Sequence, residues 1–208
     1  MPIIYGSTVA PSNTSLGDNT NNAILAGKAG EAIVNELRGK YFISAYRNRL
    51  FSATAAGVTI PLITSAVVSV FTLYNPPGSG VNMEMVETTI GSTSATTVVN
   101  VVGWYFSTAT ATAAGTFTTK GTVQNMLVGG AAGQGQFFSS YTHSGTPTLI
   151  DIISAYGATT NANSSPPQKL HDGKLVLPPG IAMSIAMGTA AGTTTANTIE
   201  AVWAEWPV

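Results

Sequence analysis

Few residues of this chain could do chemistry, so each set can be weighed in turn. His143 and His171 are far apart, and neither has a histidine or carboxylate four positions away to complete a pair of metal ligands. A Ser–His–Asp set can be written from His143, Asp151 and any of many serines, but no Gly-x-Ser-x-Gly elbow presents the serine. The carboxylate pairs Glu84/Glu87 and Glu200/Glu205 are three and five residues apart. In a regular strand such spacings put the two side chains on opposite faces, so neither pair converges for acid–base work. Gly129–Gly135 has the glycine content of a phosphate loop but lacks Gly-Lys-Ser/Thr and a following helix pattern. A hairpin loop is the expectation there. No catalytic residue, metal site or cofactor site is expected, and the chain reads as a non-enzyme.

What remains is binding. Arg38, Lys40, Arg47 and Arg49 form a local basic cluster able to meet an acidic patch on a partner. Arg47 and Arg49 share a face if a strand runs that far. Near the other end, Trp203 falls on an alternating strand and is expected in the core. Trp206, beside Pro207, is a candidate interface anchor, because aromatic residues are favoured at interface centres.

The elements that position these residues follow from composition and pattern. Only 17 of 208 residues carry a formal charge, and 27 Ala, 29 Thr and 22 Gly fill much of the chain. Seven of the 17 charges lie within residues 28–49, while 88–119 and 121–150 hold none. A net charge of −1 excludes an electrostatic nucleic-acid binder. The hydrophobic content of 44% excludes a charge-solvated disordered chain. The absence of cysteine removes disulfides and thiolate chemistry. No apolar run approaches a membrane span, and no secretory signal is visible, so a cytoplasmic origin is expected. A surface so poor in charge does not repel its neighbours and favours association.

Residues 1–25 read as an extended polar arm and 26–40 as a short helical segment. Within the latter, Ala29, Ile33 and Leu37 recur every four positions over 27–38, and Gly39 ends the stripe. From residue 41 to 208 the pattern is β. Strands are expected at 41–46, 67–74, 81–90, 98–106, 116–128, 134–142, 148–155, 174–177, 181–187 and 198–206. Turns are expected at Asn75-Pro76-Pro77-Gly78-Ser79-Gly80 and at His171-Asp172-Gly173-Lys174. About eight to ten short strands without a second helix point to an all-β antiparallel sandwich or barrel, with an N-terminal arm and one short helix.

One resemblance joins these features. The arm, the helix ending Leu37-Arg38-Gly39-Lys40-Tyr41, then Arg49-Leu50-Phe51, Phe71–Gly80 leading into a strand, Leu177-Pro178-Pro179-Gly180 and the Trp-Glu-Trp-Pro end together resemble virion structural proteins of tailed bacteriophages. The resemblance covers about residues 25–208 and implies an antiparallel β-sandwich of jelly-roll-like form on the virion, a capsid decoration, or cement, protein. By that resemblance the partners are the major capsid protein and copies of the chain itself, as a homotrimer. It further implies location on the capsid surface, no nucleic acid, no membrane and no cofactor. The alternative is a head-fibre or tail receptor-binding module reading host glycan through loops 75–80, 129–135 and 157–167.

Overall fold

The computed structural model describes residues 39–63, 68–92, 100–106, 115–143, 147–156, 168–188 and 196–208. Contacts divide the chain into a unit of residues 1–42 and a unit of residues 43–208. The arm and the helical stripe at 27–38 lie outside the described residues.

Among the described residues, a five-residue helix α1 (Phe42–Tyr46) precedes thirteen strands. They are β1 (Leu50–Val58), β2 (Val68–Ser69), β3 (Thr72–Tyr74), β4 (Val81–Ser92), β5 (Asn100–Phe106), β6 (Gly115–Lys120), β7 (Val123–Asn125), β8 (Gln136–His143), β9 (Thr148–Tyr156), β10 (Gln168–Leu170), β11 (Val176–Leu177), β12 (Ala182–Met187) and β13 (Asn197–Pro207). One sheet runs β10-β4-β13-β1-β7, with β11 also on β4. The other runs β2-β8-β3-β12-β5-β9, with β6 also on β8.

The antiparallel pairing defines the topology. β1 pairs with β13, β3 with β12, β4 with β10 and β11, and β5 with β9. Counted from both ends of the chain, and leaving aside β2, which pairs with β8, first meets last and each later strand up to β5 meets its counterpart. A long hairpin rolled up in this way is a jelly roll. Strands β6, β7 and β8 are an insertion between β5 and β9 that widens both sheets, β7 beside β1 and β8 beside β3.

Alternation builds the core. Phe51, Ala53 and Ala55 of β1 face inward with Ile199, Ala201 and Trp203 of β13, while Met83, Met85 and Ile90 come from β4. The second sheet contributes Leu73, Val102, Trp104, Phe137, Met183 and Ile185. Trp104 and Trp203 are fully buried, and Phe71 links the rings of Trp104 and Phe137 at centroid distances of 6.0 and 4.7 Å. Apolar area removed from water at this density is the main stabilising term.

Several expectations change. Residues 41–46 are not a strand: Phe42–Tyr46 is helical, with Arg47 N–H donating to the Ile43 carbonyl and Arg49 N–H to that of Ser44. Asn48, at φ 56°, ends the turn in the left-handed region that Asn tolerates. Aromatic and β-branched content is a weak preference that such closing contacts override. The expected strand 67–74 is split into β2 and β3, and 116–128 into β6 and β7. β1 and β10 were not expected at all. The two turns form where expected: Gly78 and Gly80 take φ of 76° and 71°, and Asp172 and Gly173 take 48° and 75°.

Candidate interaction surface

Arg49 and Trp206 come together at one end of the six-stranded sheet. The chain leaves α1 through Arg47–Arg49 and enters β1 beside the last residues of β13, where Glu205 N–H donates to the Arg49 carbonyl at 2.8 Å. The Arg49 guanidinium lies 5.1 Å from the centre of the Trp206 ring. The indole Nε1–H donates to Glu84 Oε2 at 2.7 Å, so the ring meets the cation at its face and the carboxylate at its edge. Trp206 remains 37% exposed.

Neighbouring segments leave apolar side chains open at the same end. Ile43 and Tyr46 of α1, Met126 and Val128 after β7, and Val208 are all exposed, Val128 to 96%. Met126 N–H donates to the Leu50 carbonyl and Val208 N–H to that of Gly80, which fixes both segments to this edge. A second exposed aliphatic group, Leu149, Ile150, Ile152, Leu170 and Val176, lies on β9, β10 and β11. Of these, Ile150 and Leu170 border one shallow pocket, and exposed aliphatics grouped in this way mark contact surfaces.

Glu205, between the two tryptophans, points inward and is buried. Its Oε1 accepts Gly135 N–H at 2.8 Å and Trp203 Nε1–H at 3.2 Å, and its Oε2 accepts Gln134 N–H at 2.8 Å. The other side of the loop is held by Asn48 and Asn125: Asn48 Oδ1 accepts Ala131 N–H, and Asn125 Nδ2 donates to the Ala131 carbonyl. The glycine-rich segment is therefore a pinned loop, not a phosphate cradle, and its amides are aimed at a carboxylate of the same chain. A Cβ at Gly133 or Gly135 would press on Glu205 and on Phe51 or Met83.

The remaining candidates fall as follows. Arg38 lies outside the described residues. Lys40 sits with its Nζ 5.1 Å from the Tyr41 ring. Arg47 is exposed and, with Arg49, belongs to the turn before β1 rather than to a shared strand face. Glu84 and Glu87 share the outer face, contrary to the strand rule. A bulge at Val86 inserts one residue opposite the Trp203/Val202 step, so Glu84 faces Ala204 and Glu87 faces Val202. Glu84 is engaged by Trp206 and Glu87 by Thr89.

The histidines were not expected to have a role, and each is buried in a different way. His143 packs edge-on against Tyr141 at 4.7 Å, and neither ring nitrogen has a hydrogen-bond partner. Burial pushes its pKa down to about 4. His171 joins the sheets: Nδ1 lies 3.0 Å from Asp151 Oδ2, and Nε2 is 2.8 Å from Thr88 Oγ1. Thr88 also accepts Trp104 Nε1–H at 3.0 Å. Asp151 thus pairs with His171 and not with His143, and it receives Lys169 Nζ at 3.3 Å. Residues Ile150, Asp151, Lys169, Leu170, His171, Lys174 and Leu175 line a shallow pocket of about 130 Å³ beside this group. Thr88 is fully buried, so the Asp–His–Thr order resembles a nucleophilic triad only in sequence of groups.

Among the described residues, no three or more His, Asp and Glu gather as a metal site. No helix among them is long and apolar enough to cross a membrane. No family model, curated protein or solved structure matches the chain.

Proposed function

We propose that this chain is a non-enzymatic structural protein of a tailed-phage particle. It decorates and stabilises the capsid by packing against the major capsid protein and against copies of itself, as a homotrimer. The protein is made in the host cytoplasm and ends on the virion surface, with no cofactor, nucleic acid or membrane involved.

The observation that carries this reading is a jelly roll, an architecture suited to shells, with apolar side chains exposed beside Trp206 and on β9, β10 and β11. The Arg49–Trp206–Glu84 stack supplies an aromatic and a cation of the sort found at interface centres. An arm of 22 residues reaches up to about 70 Å when extended, enough to touch a neighbouring subunit.

Cryo-electron microscopy of purified particles tests the reading. Many copies spread over the head are expected. A few copies confined to the tail or a fibre would replace it with the receptor-binding module. Deleting residues 1–22 is expected to lower occupancy on particles; unchanged occupancy would sink the arm's part in it.

A further inference from the structure

We propose that Lys169 closes the outer edge of β9 against strand pairing with a second copy of this chain. β9 ends the seven-stranded sheet, and among the described residues β5 is its one sheet partner. Its nine residues include no proline or glycine and a single charge, Asp151. Leu149, Ile150 and Ile152 are exposed along it. An aliphatic, nearly uncharged strand at a sheet edge is a template for another strand, and an identical strand matches it in length and character. The one charge that could keep two such edges apart is spent elsewhere. Asp151 turns to the buried His171 ring at 3.0 Å and is neutralised by Lys169 at 3.3 Å.

Lys169 reaches this edge from the other sheet. It stands on β10 across from Thr88, whose buried hydroxyl accepts Trp104 Nε1–H from β5. Residues in register share a face, so this position looks towards the seven-stranded sheet. The Lys169 side chain therefore spans from β10 to β9, where Nζ meets Asp151 Oδ1 and donates to the Ile152 carbonyl at 3.1 Å. An edge-strand carbonyl is an acceptor that an added strand would use, and here an ammonium of the same chain holds it. The Lys169 side chain is still 37% exposed, so an incoming strand would also have to take its charge out of water.

β9 is bent at the same place. Ile152 lies opposite Gly103 and Ser154 opposite Val102, so Ile153 is an extra residue between them. Ile150 is a second, since Leu149 lies opposite Tyr105 and Asp151 opposite Trp104. The two bulges flank Asp151 and Ile152, the residues that Lys169 touches. A strand added along β9 would have to cross both bulges by way of the Ile152 carbonyl, so pairing over that length requires Lys169 to be displaced. The role of Lys169 does not rest on the capsid reading. It leaves the aliphatic side chains open to a partner that packs on them face to face.

Sedimentation velocity of the full chain tests this, with hydrogen–deuterium exchange to locate the contact. Lys169→Met keeps the apolar stem but removes both charge and donor. Its weight-average mass at about 100 µM is expected to be about twofold or more above that of wild type. Lys169→Arg keeps charge and donor and is expected to match wild type. Tm is expected to change little in both, because a half-exposed ion pair contributes little, and this separates pairing from unfolding. In the larger species the amides of 148–156 are expected to exchange roughly tenfold more slowly. Adding Ile152→Lys to Lys169→Met returns a charge to the edge and is expected to restore the wild-type mass. Equal mass in Lys169→Met and wild type overturns the proposal, as does equal growth in Lys169→Arg. Growth without slower exchange in 148–156 places the contact elsewhere and overturns it too. Should Lys169→Met not fold, Lys169→Thr, a residue suited to strands, decides by the same readings.

Discussion

The Arg49 guanidinium stacks on the Trp206 ring at 5.1 Å, joining the turn before the first large strand to the end of the last. Both residues were legible as binding candidates, but their meeting was not. It depends on β1 lying against β13, with Leu50 opposite Ala204, and β1 carries too little alternation to be seen as a strand.

Removing the cation tests what the stack is worth. Arg49→Ala is expected to cost about 1 kcal/mol or less, a fall in Tm of a few degrees for a chain this size. Trp206→Ala also frees Glu84 and is expected to cost somewhat more. If Trp206 anchors a partner, its removal lowers occupancy on particles by far more than its small stability loss accounts for. Melting curves and particle-binding assays on the same variants separate the two.

The Glu205 carboxylate accepts three N–H groups inside the protein. Glu205→Gln keeps the shape but turns one acceptor into a donor that faces a backbone N–H. A loss of roughly 1–3 kcal/mol is expected, read as an earlier midpoint in urea with unchanged slope. Exchange in residues 133–136 should rise with it, since that loop loses its clamp.

Gly103 sits on β5 where a Cβ would run into the Asp151 carbonyl and the Leu149 side chain. Backbone cannot give way as a side-chain tip can. Gly103→Ala is therefore expected to be among the more damaging single changes, at roughly 2 kcal/mol or more, or to abolish folding on expression. Gly39→Ala, with nothing near its Cβ, is the matched control and is expected to leave Tm within a degree or two.

How much could be read beforehand follows a physical line. Local chemistry was legible: Asp172-Gly173 and Pro77-Gly78 demand bends. What needed long-range pairing was not. The Val86 bulge, which moves Glu87 to the face of Glu84, arises from the register against Trp203 and Val202, more than a hundred residues on. The Tyr41–Tyr46 segment reads as strand by residue type, yet the left-handed Asn48 closes it as a helix. Glu205 was visible only as a charge between tryptophans; its burial depends on amides of a loop seventy residues earlier. The Asp151–His171–Thr88–Trp104 contacts were hidden for the same reason, because these four residues share no spacing.

His143 makes the acid side of the stability curve testable. Its ring is 1% exposed, has no partner for either nitrogen, and is held by burial to a pKa of about 4 against an ordinary 6.5. The unfolded chain therefore takes up a proton first as the pH falls. Stability is full above pH 6.5 and declines towards pH 4, by roughly 3 kcal/mol for a shift of this size. His171 adds a slope of the same sign. His143→Phe keeps an aromatic ring against Tyr141, removes two unpaired polar atoms and cannot be protonated. It is expected to match or exceed wild type at pH 7.5 and to lose less between pH 6.5 and 4 in urea melts. An unchanged loss over that window would mean that the ring takes up its proton alike in the folded and unfolded chain.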